Sequence, residues 1–203
     1  MVRLLLISLL FILAPACHAA GAYQARGGDI IFHTSRSAQS LAVQKATASP
    51  YSHMGMVFIR DGQALVLEAV EPVKFTPLAD WVRRGEGGRF VVRRLVDAGQ
   101  VLTAAALQRL LAEGEALLGR PYDLYFEWSD ERVYCSELVW KVYQRALGIE
   151  IGALQTISEF DLSHPAVQAK IRERWPGQPP ADEQVISPAA MFASDRLVTV
   201  YEN

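Results

Sequence analysis

The sequence predicts an α+β fold, an antiparallel β-sheet or barrel packed against helices. Short β-type runs with hairpin turns fill the first half of the chain, the two most regular helix patterns lie in the second half, and a strand pattern closes it. That order differs from the regular strand–helix alternation of a doubly wound parallel sheet. The 203 residues, 51% hydrophobic and 21% charged, describe one globular domain and exclude disordered, collagen-like and coiled-coil chains. With 20 Lys+Arg against 22 Asp+Glu the net charge is −2, which leaves no electrostatic footprint for nucleic acid.

Residues 1–19 read as a secretory signal peptide and residues 20–203 as the domain. Met1-Val2-Arg3 is a basic start, Leu4 to Ala14 an apolar run, and Cys17-His18-Ala19 leaves small residues at the last and third-last positions. A membrane anchor needs about 18 apolar residues, and Pro15 and His18 cut this run short. A third reading takes Leu13 to Cys17 as a degenerate lipoprotein site with Cys17 lipidated, the one route by which this reading gives membrane association. Cleavage removes Arg3 and no acid, leaving 19 basic against 22 acidic groups, a net of −3. It also leaves Cys135 as the single thiol of an exported, periplasmic or secreted chain, so no internal disulfide forms.

Along the domain, Gly28 to His33 is a short strand, and Ser37 to Ala48 has helical spacing stopped by Pro50. Met54 to Arg60 and Ala64 to Val70 form a hairpin around Asp61-Gly62-Gln63. Val73 to Thr76 continues as a strand, Pro77 to Arg83 as a helical turn, and Arg89 to Leu95 as a strand. Arginines 83, 84, 89, 93 and 94 form the one basic cluster, read as a solvated strand face in preference to a patch for an anionic polymer or membrane. Thr103 caps a helix running to Leu118, with leucines 107, 110, 111, 117 and 118 in one stripe. A polar, aromatic loop, Tyr122 to Tyr134, leads into a second helix, Cys135 to Leu147, closed by Gly148. A helix over Pro165 to Trp175, a proline-rich loop, a turn at Ser187-Pro188 and a strand Leu197 to Tyr201 complete the chain.

Cys135 falls on the first turn of an amphipathic helix, where free backbone N–H groups and the helix dipole favour an anion. A thiolate is such an anion, and helix N-termini or a neighbouring imidazolium lower cysteine pKa values from about 8.5 to roughly 3.5–7.5. The competing reading is a small buried hydrophobe at a helix start. Of the domain's histidines, His33 ends a strand and His164 precedes a helix, both read as structural or solvent-facing. His53 stands at the mouth of a strand whose neighbour carries Glu68 inside the apolar run Leu65 to Val70. A register in which Ile59 faces Gly62 sets positions 53 and 68 opposite each other. In this trio Cys135 attacks an acyl carbonyl, His53 moves its proton, and Glu68 orients the imidazole. The Cys135 N–H is one half of an oxyanion hole; Tyr122 is its other half, a substrate-binding group or a packed loop aromatic. No short-spaced His/Cys pair for zinc, no phosphate-cradling G-x-x-x-x-G-K, no G-x-G-x-x-G and no G-x-S-x-G is present.

Gly28-Asp29-Ile30-Ile31-Phe32, Tyr51-Ser52-His53-Met54-Gly55, Leu67-Glu68-Ala69, Gly119-Arg120-Pro121-Tyr122-Asp123 and Tyr134-Cys135-Ser136-Glu137-Leu138-Val139-Trp140 occur in that order. With them the chain, from about Gly27 to Leu147, resembles the YiiX/YebB-like permuted papain-like amidases, relatives of the NlpC-type cysteine peptidases. The resemblance implies a circularly permuted papain-like fold in which the strands bearing the histidine precede the helix bearing the nucleophile. It places the family's cysteine on Cys135, its histidine on His53, its third polar residue on Glu68 and its loop tyrosine on Tyr122. It implies hydrolysis or transfer at an amide or ester through a thioester, with no metal or organic cofactor. The expectation is an exported cysteine hydrolase acting on a small peptide or cell-wall peptide. A lipid thioesterase or acyltransferase using the same residues, and a non-catalytic peptide- or lipid-binding module, are the alternatives.

Overall fold

The computed structural model describes residues 22–203, so the signal peptide expected over 1–19, Cys17 included, lies outside the described residues. Strand β1 (Ile30–His33) leads to helix α1 (Ala38–Thr47), where the Ser37 hydroxyl accepts the Ser40 N–H as an N-cap. Strands β2 (His53–Arg60) and β3 (Gln63–Glu68) form a hairpin on Asp61 and Gly62, both at positive φ (50° and 76°). This is the two-residue turn whose twist suits a hairpin, and glycine takes its second position without strain. Then come β4 (Lys74–Pro77), α2 (Leu78–Arg84), β5 (Val91–Leu95), α3 (Ala98–Val101) and α4 (Ala104–Ala116), capped by the Thr103 hydroxyl. Helix α5 (Cys135–Leu147) closes on Gly148 in the left-handed conformation, followed by β6 (Gln155–Thr156), α6 (Pro165–Arg174), β7 (Gln184–Val185), α7 (Pro188–Phe192) and β8 (Leu197–Glu202). The expected turn at Ser187-Pro188 is thus a short helix, and α3, β6 and β7 carried no sequence signal strong enough to anticipate.

The main sheet has six antiparallel strands in the order β4-β3-β2-β1-β5-β8, with β6 and β7 forming a separate ribbon. Of the two architectures expected, an open sheet is the one formed, with β4 and β8 as its edges. Side-chain alternation sorts the strands into two faces. Ile30, Phe32, Met54, Met56 and Leu67 join Leu110 of α4 and Leu138 and Val142 of α5 in the main core. Ile31, Val57, Val66 and Val92 pack instead with Trp81 of α2. Asp29, fully buried just before β1, is held by Arg94 (Nη2 to Oδ2, 2.8 Å) and the Tyr23 hydroxyl (2.6 Å), which fixes the strand carrying His33.

The arginine cluster divides on folding. Arg94 pairs with buried Asp29 and Arg84 with buried Glu68, while Arg93 donates to the Leu197 carbonyl (2.6 Å). These are internal ties between elements, so the expected solvated strand face does not form as a unit.

Candidate active site

Cys135 is the first residue of α5, so its backbone N–H is among those a helix leaves without an intrahelical partner. Its neighbours are tied to the segment before α7: Ser136 Oγ donates to the Ile186 carbonyl (2.8 Å), and the Tyr134 hydroxyl accepts the Ile186 N–H (3.0 Å). The Glu137 carboxylate accepts the Tyr134 N–H at 3.2 Å, closing the first turn. Cys135 is buried, 5% exposed, and is the free cysteine among the described residues.

His53 opens β2, directly across from His33 of β1. Its Nε2 donates to Glu68 Oε2 at 2.8 Å. The hairpin pairs Met56 with Leu67 and Arg60 with Gln63, a register two residues away from the one that would set 53 opposite 68. The two-residue turn falls on Asp61-Gly62, where the expected register would have put it on Arg60-Asp61. His53 and Glu68 therefore meet diagonally on one face of the sheet. Gly55, between them along the strands, makes room: a Cβ there would lie 2.5 Å from Val66 and 2.7 Å from the Leu67 carbonyl.

Glu68 is fully buried and three groups hold its carboxylate: His53, the Thr76 hydroxyl (2.6 Å to Oε1) and the Arg84 guanidinium. Burial works to raise its pKa, but the hydrogen bond and charge of His53, with Thr76 and Arg84, outweigh it and lower the value to about 2. For His53 burial disfavours the charged ring, yet interaction with the Cys135 and Glu68 side chains prevails and raises its pKa to about 9. The ring is thus suited to carry a proton at neutral pH between a thiol and a carboxylate. His33 behaves oppositely: burial, then the charges of His53 and Arg84, lower its pKa to about 3. It is 2% exposed and stacks on Trp81 at 4.0 Å between ring centres, a buried neutral ring and not a solvent-facing one. His164 caps α6, its Nδ1 accepting the Ala166 N–H at 3.1 Å.

Tyr122 reaches the same place from the loop. Its hydroxyl accepts from Gln39 Nε2 of α1 (2.8 Å), and its backbone N–H donates to Glu71 (2.9 Å). Burial, then the charge of Cys135, raises its pKa well above the ordinary phenol value, so it stays a neutral donor. Gln39 in turn accepts from Arg174 Nη2 of α6 (2.6 Å), and Ser52 Oγ bonds Ser40 Oγ (2.6 Å). The structure therefore brings Cys135, His53, Glu68 and Tyr122 into one neighbourhood. Sequence reasoning missed Thr76, Gln39 and Ser52 and read Arg84 only as surface charge. Gln39 is 83 residues from Tyr122, so no spacing rule links them.

Two cavities meet here. One, of about 130 Å³, lies between α1 and α6 and is walled chiefly by apolar side chains, among them Ala42, Val43, Phe126, Val167 and Ile171, with Cys135 in its wall and Lys170 and Arg174 also lining it. The other, about 440 Å³, is a more polar groove lined by His53, His33, Ser35, Ser37, Glu71 and Arg84. Gln39, Ser52 and Tyr122 border both.

The chain matches the family model described as permuted papain-like amidase enzyme, YaeF/YiiX, C92 family, over residues 24–201. It is 51% identical over 198 residues to protein YiiX of Escherichia coli strain K12, covering 98% of this chain and 94% of that protein. A crystal structure of yiiX from Escherichia coli O157:H7, described as a metalloprotein, shares 50% identity at a TM-score of 0.85, covering 89% of this chain and 99% of that one. The donor set here does not fit a metal ion. Among the described residues no group of three His, Cys, Asp or Glu side chains is arranged to hold one, His53 Nε2 and Glu68 Oε2 are spent on each other, and the unpartnered His33 Nδ1 faces Gly85. With the family model spanning nearly all of the described residues and half of the positions identical to YiiX, the chain belongs to the permuted papain-like amidase family, YaeF/YiiX type, a family of cysteine peptidase- and amidase-type enzymes.

Proposed function

We propose that this chain hydrolyses an amide bond in a small peptide or cell-wall peptide through a thioester on Cys135. The observation that carries the reading is the His53–Glu68 contact, 2.8 Å long, beside a cysteine that starts a helix. The His53 imidazole takes the thiol proton, the thiolate attacks the acyl carbon, and the imidazolium protonates the departing amine. Glu68 holds the ring and stabilises its charge. The Cys135 N–H and the neutral Tyr122 hydroxyl are the donors for the oxyanion. The apolar run at residues 4–14 supports an exported chain, periplasmic or secreted, which is why peptides of the cell wall are the favoured substrates.

A second reading, a lipid thioesterase or acyltransferase with the same residues, is favoured by the apolar cavity beside Cys135. Intact-mass analysis of the purified protein mixed with peptide amides and with phospholipid decides between them. A peptide-derived acyl adduct on Cys135, absent in Cys135→Ser, supports the amidase. A fatty-acyl adduct alone supports the lipid enzyme, and an inert Cys135 leaves a binding module as the better account.

A further inference from the structure

The two cavities meet at the reacting groups, one lined by the thiol and the other by the imidazole, and this assigns the two halves of a substrate. Cys135 lines the apolar cavity and His53 lines the polar groove. In acyl transfer to a thiol, the carbon skeleton that stays on sulfur lies on the nucleophile's side. The amine that leaves takes its proton from the imidazole and departs on that side. We propose that the substrate is an amide with a compact apolar acyl half, of about six carbons, and a polar amine half; the assignment rests on the catalytic reading above.

The apolar half follows from the walls of the first cavity. Ala42 of α1 and Val167 and Ile171 of α6 form a buried cluster of their own, and Phe126 lines the cavity from the loop. Of its polar neighbours, Lys170 is engaged by Glu173 (2.5 Å), and Arg174 by Gln39 and the Leu124 carbonyl (3.0 Å). At about 130 Å³ the space is close to a cavity of about 150 Å³ that holds benzene, which suits a six-carbon chain or one aromatic ring and is small for a long fatty acyl chain. The amine half follows from the groove, where Ser35, Ser37, Glu71 and Arg84 offer hydroxyl, carboxylate and guanidinium groups to polar substituents.

The reaction balances without a further reagent. Cys135 Sγ bonds to the acyl carbon, the C–N bond breaks, and the thiol proton, held on His53, leaves on the amine nitrogen. Water then attacks the thioester, giving the carboxylic acid and restoring the thiol.

The test uses two amide probes and four activated esters. N-hexanoyl-serinamide places the apolar group on the acyl side, and O-free seryl-hexylamide places it on the amine side. We expect cleavage of the first to be at least about tenfold faster in kcat/KM. Equal rates, or preference for the second, overturn the proposal. In parallel, p-nitrophenyl acetate, hexanoate, palmitate and glutarate monoester are mixed with the protein and Cys135 acylation is followed by intact mass. A hexanoyl adduct forming at least about tenfold faster than acetyl, glutaryl or palmitoyl supports the assignment. Acylation that is indifferent to the acyl group, or favours glutaryl or palmitoyl, overturns the assignment and leaves the cysteine mechanism standing. No acylation by any ester overturns both. Ala42→Leu, which narrows the cavity, should lower the hexanoyl-to-acetyl ratio by about tenfold. Ile171→Ala, which widens it, should shift the preference toward longer chains. An unchanged ratio in both folded variants counts against the cavity as the acyl site.

Discussion

Nε2 of His53 lies 2.8 Å from Oε2 of Glu68, so one nitrogen of the imidazole is committed to a buried carboxylate and Nδ1 is the nitrogen left for exchange with Cys135. The two residues sit on neighbouring strands in a diagonal relation, and Thr76 and Arg84 hold the far oxygen of the carboxylate.

Cys135→Ser should lower turnover by about a thousandfold or more, because a serine hydroxyl beside this imidazole remains protonated. The melting temperature should stay within about 3 °C, since the swap is nearly isosteric at a buried site. Activity and thermal unfolding measured on the same preparation check both, and loss of folding would point to a purely packing role.

Glu68→Gln should cost less activity than His53→Ala, by about tenfold, because the orienting member is the most dispensable of three. It should also destabilise the fold by about 1.5–3 kcal/mol, through weakened bonds to His53 and Arg84. Steady-state kinetics and urea unfolding of the two variants provide the comparison; equal kinetic losses would contradict the roles assigned.

The pH dependence has a defined sign. His53 must be protonated to release the amine, so kcat/KM should fall as pH rises through about 9, the raised His53 value. A folded-state pKa raised above the ordinary 6.5 stabilises the fold fully below about pH 6.5, and that contribution is lost as pH rises through 9. The wild-type advantage in melting temperature over His53→Gln should shrink across that window. Glu68, lowered from 4.5 to about 2, contributes above pH 4.5, and its advantage over Glu68→Gln should vanish as pH falls toward 2.

Alkylation of Cys135 by iodoacetamide should be at least about tenfold slower in His53→Ala than in the wild type, since the imidazole is the group that takes the thiol proton. Equal rates in the two proteins would remove the basis for that proton transfer.

EDTA should leave turnover unchanged. A loss restored by adding back a divalent ion would establish a metal role that the donor geometry described above does not provide.

Much of this was readable from local chemistry. The α5 boundaries, with Cys135 at the start and Gly148 at the end, follow from an apolar stripe and a left-handed cap. The Asp61-Gly62 turn and the N-caps Ser37 and Thr103 follow from side-chain chemistry within four residues. Cys135, His53, Glu68 and Tyr122 stood out as residue types in suggestive places. Thr76, Gln39 and Ser52 did not, because a threonine, glutamine or serine in a polar stretch carries no periodicity and acquires its role only from a distant partner.

The sequence by itself determined the order of the longer elements, the mixed class, the helix that presents the thiol and the pairing of a histidine strand with a glutamate strand. Those features depend on contacts between residues close in the chain, where propensity, capping and alternation act. Only the tertiary structure decided the hairpin register, the burial of His33 against Trp81, the spending of Arg84 and Arg94 on buried acids, and the two cavities that meet at Tyr122. The register turns on which two residues make the turn, and the other ties join residues 16 or more apart in the chain. Whether a charge faces water or a carboxylate is settled by what packs over it, which local pattern does not encode.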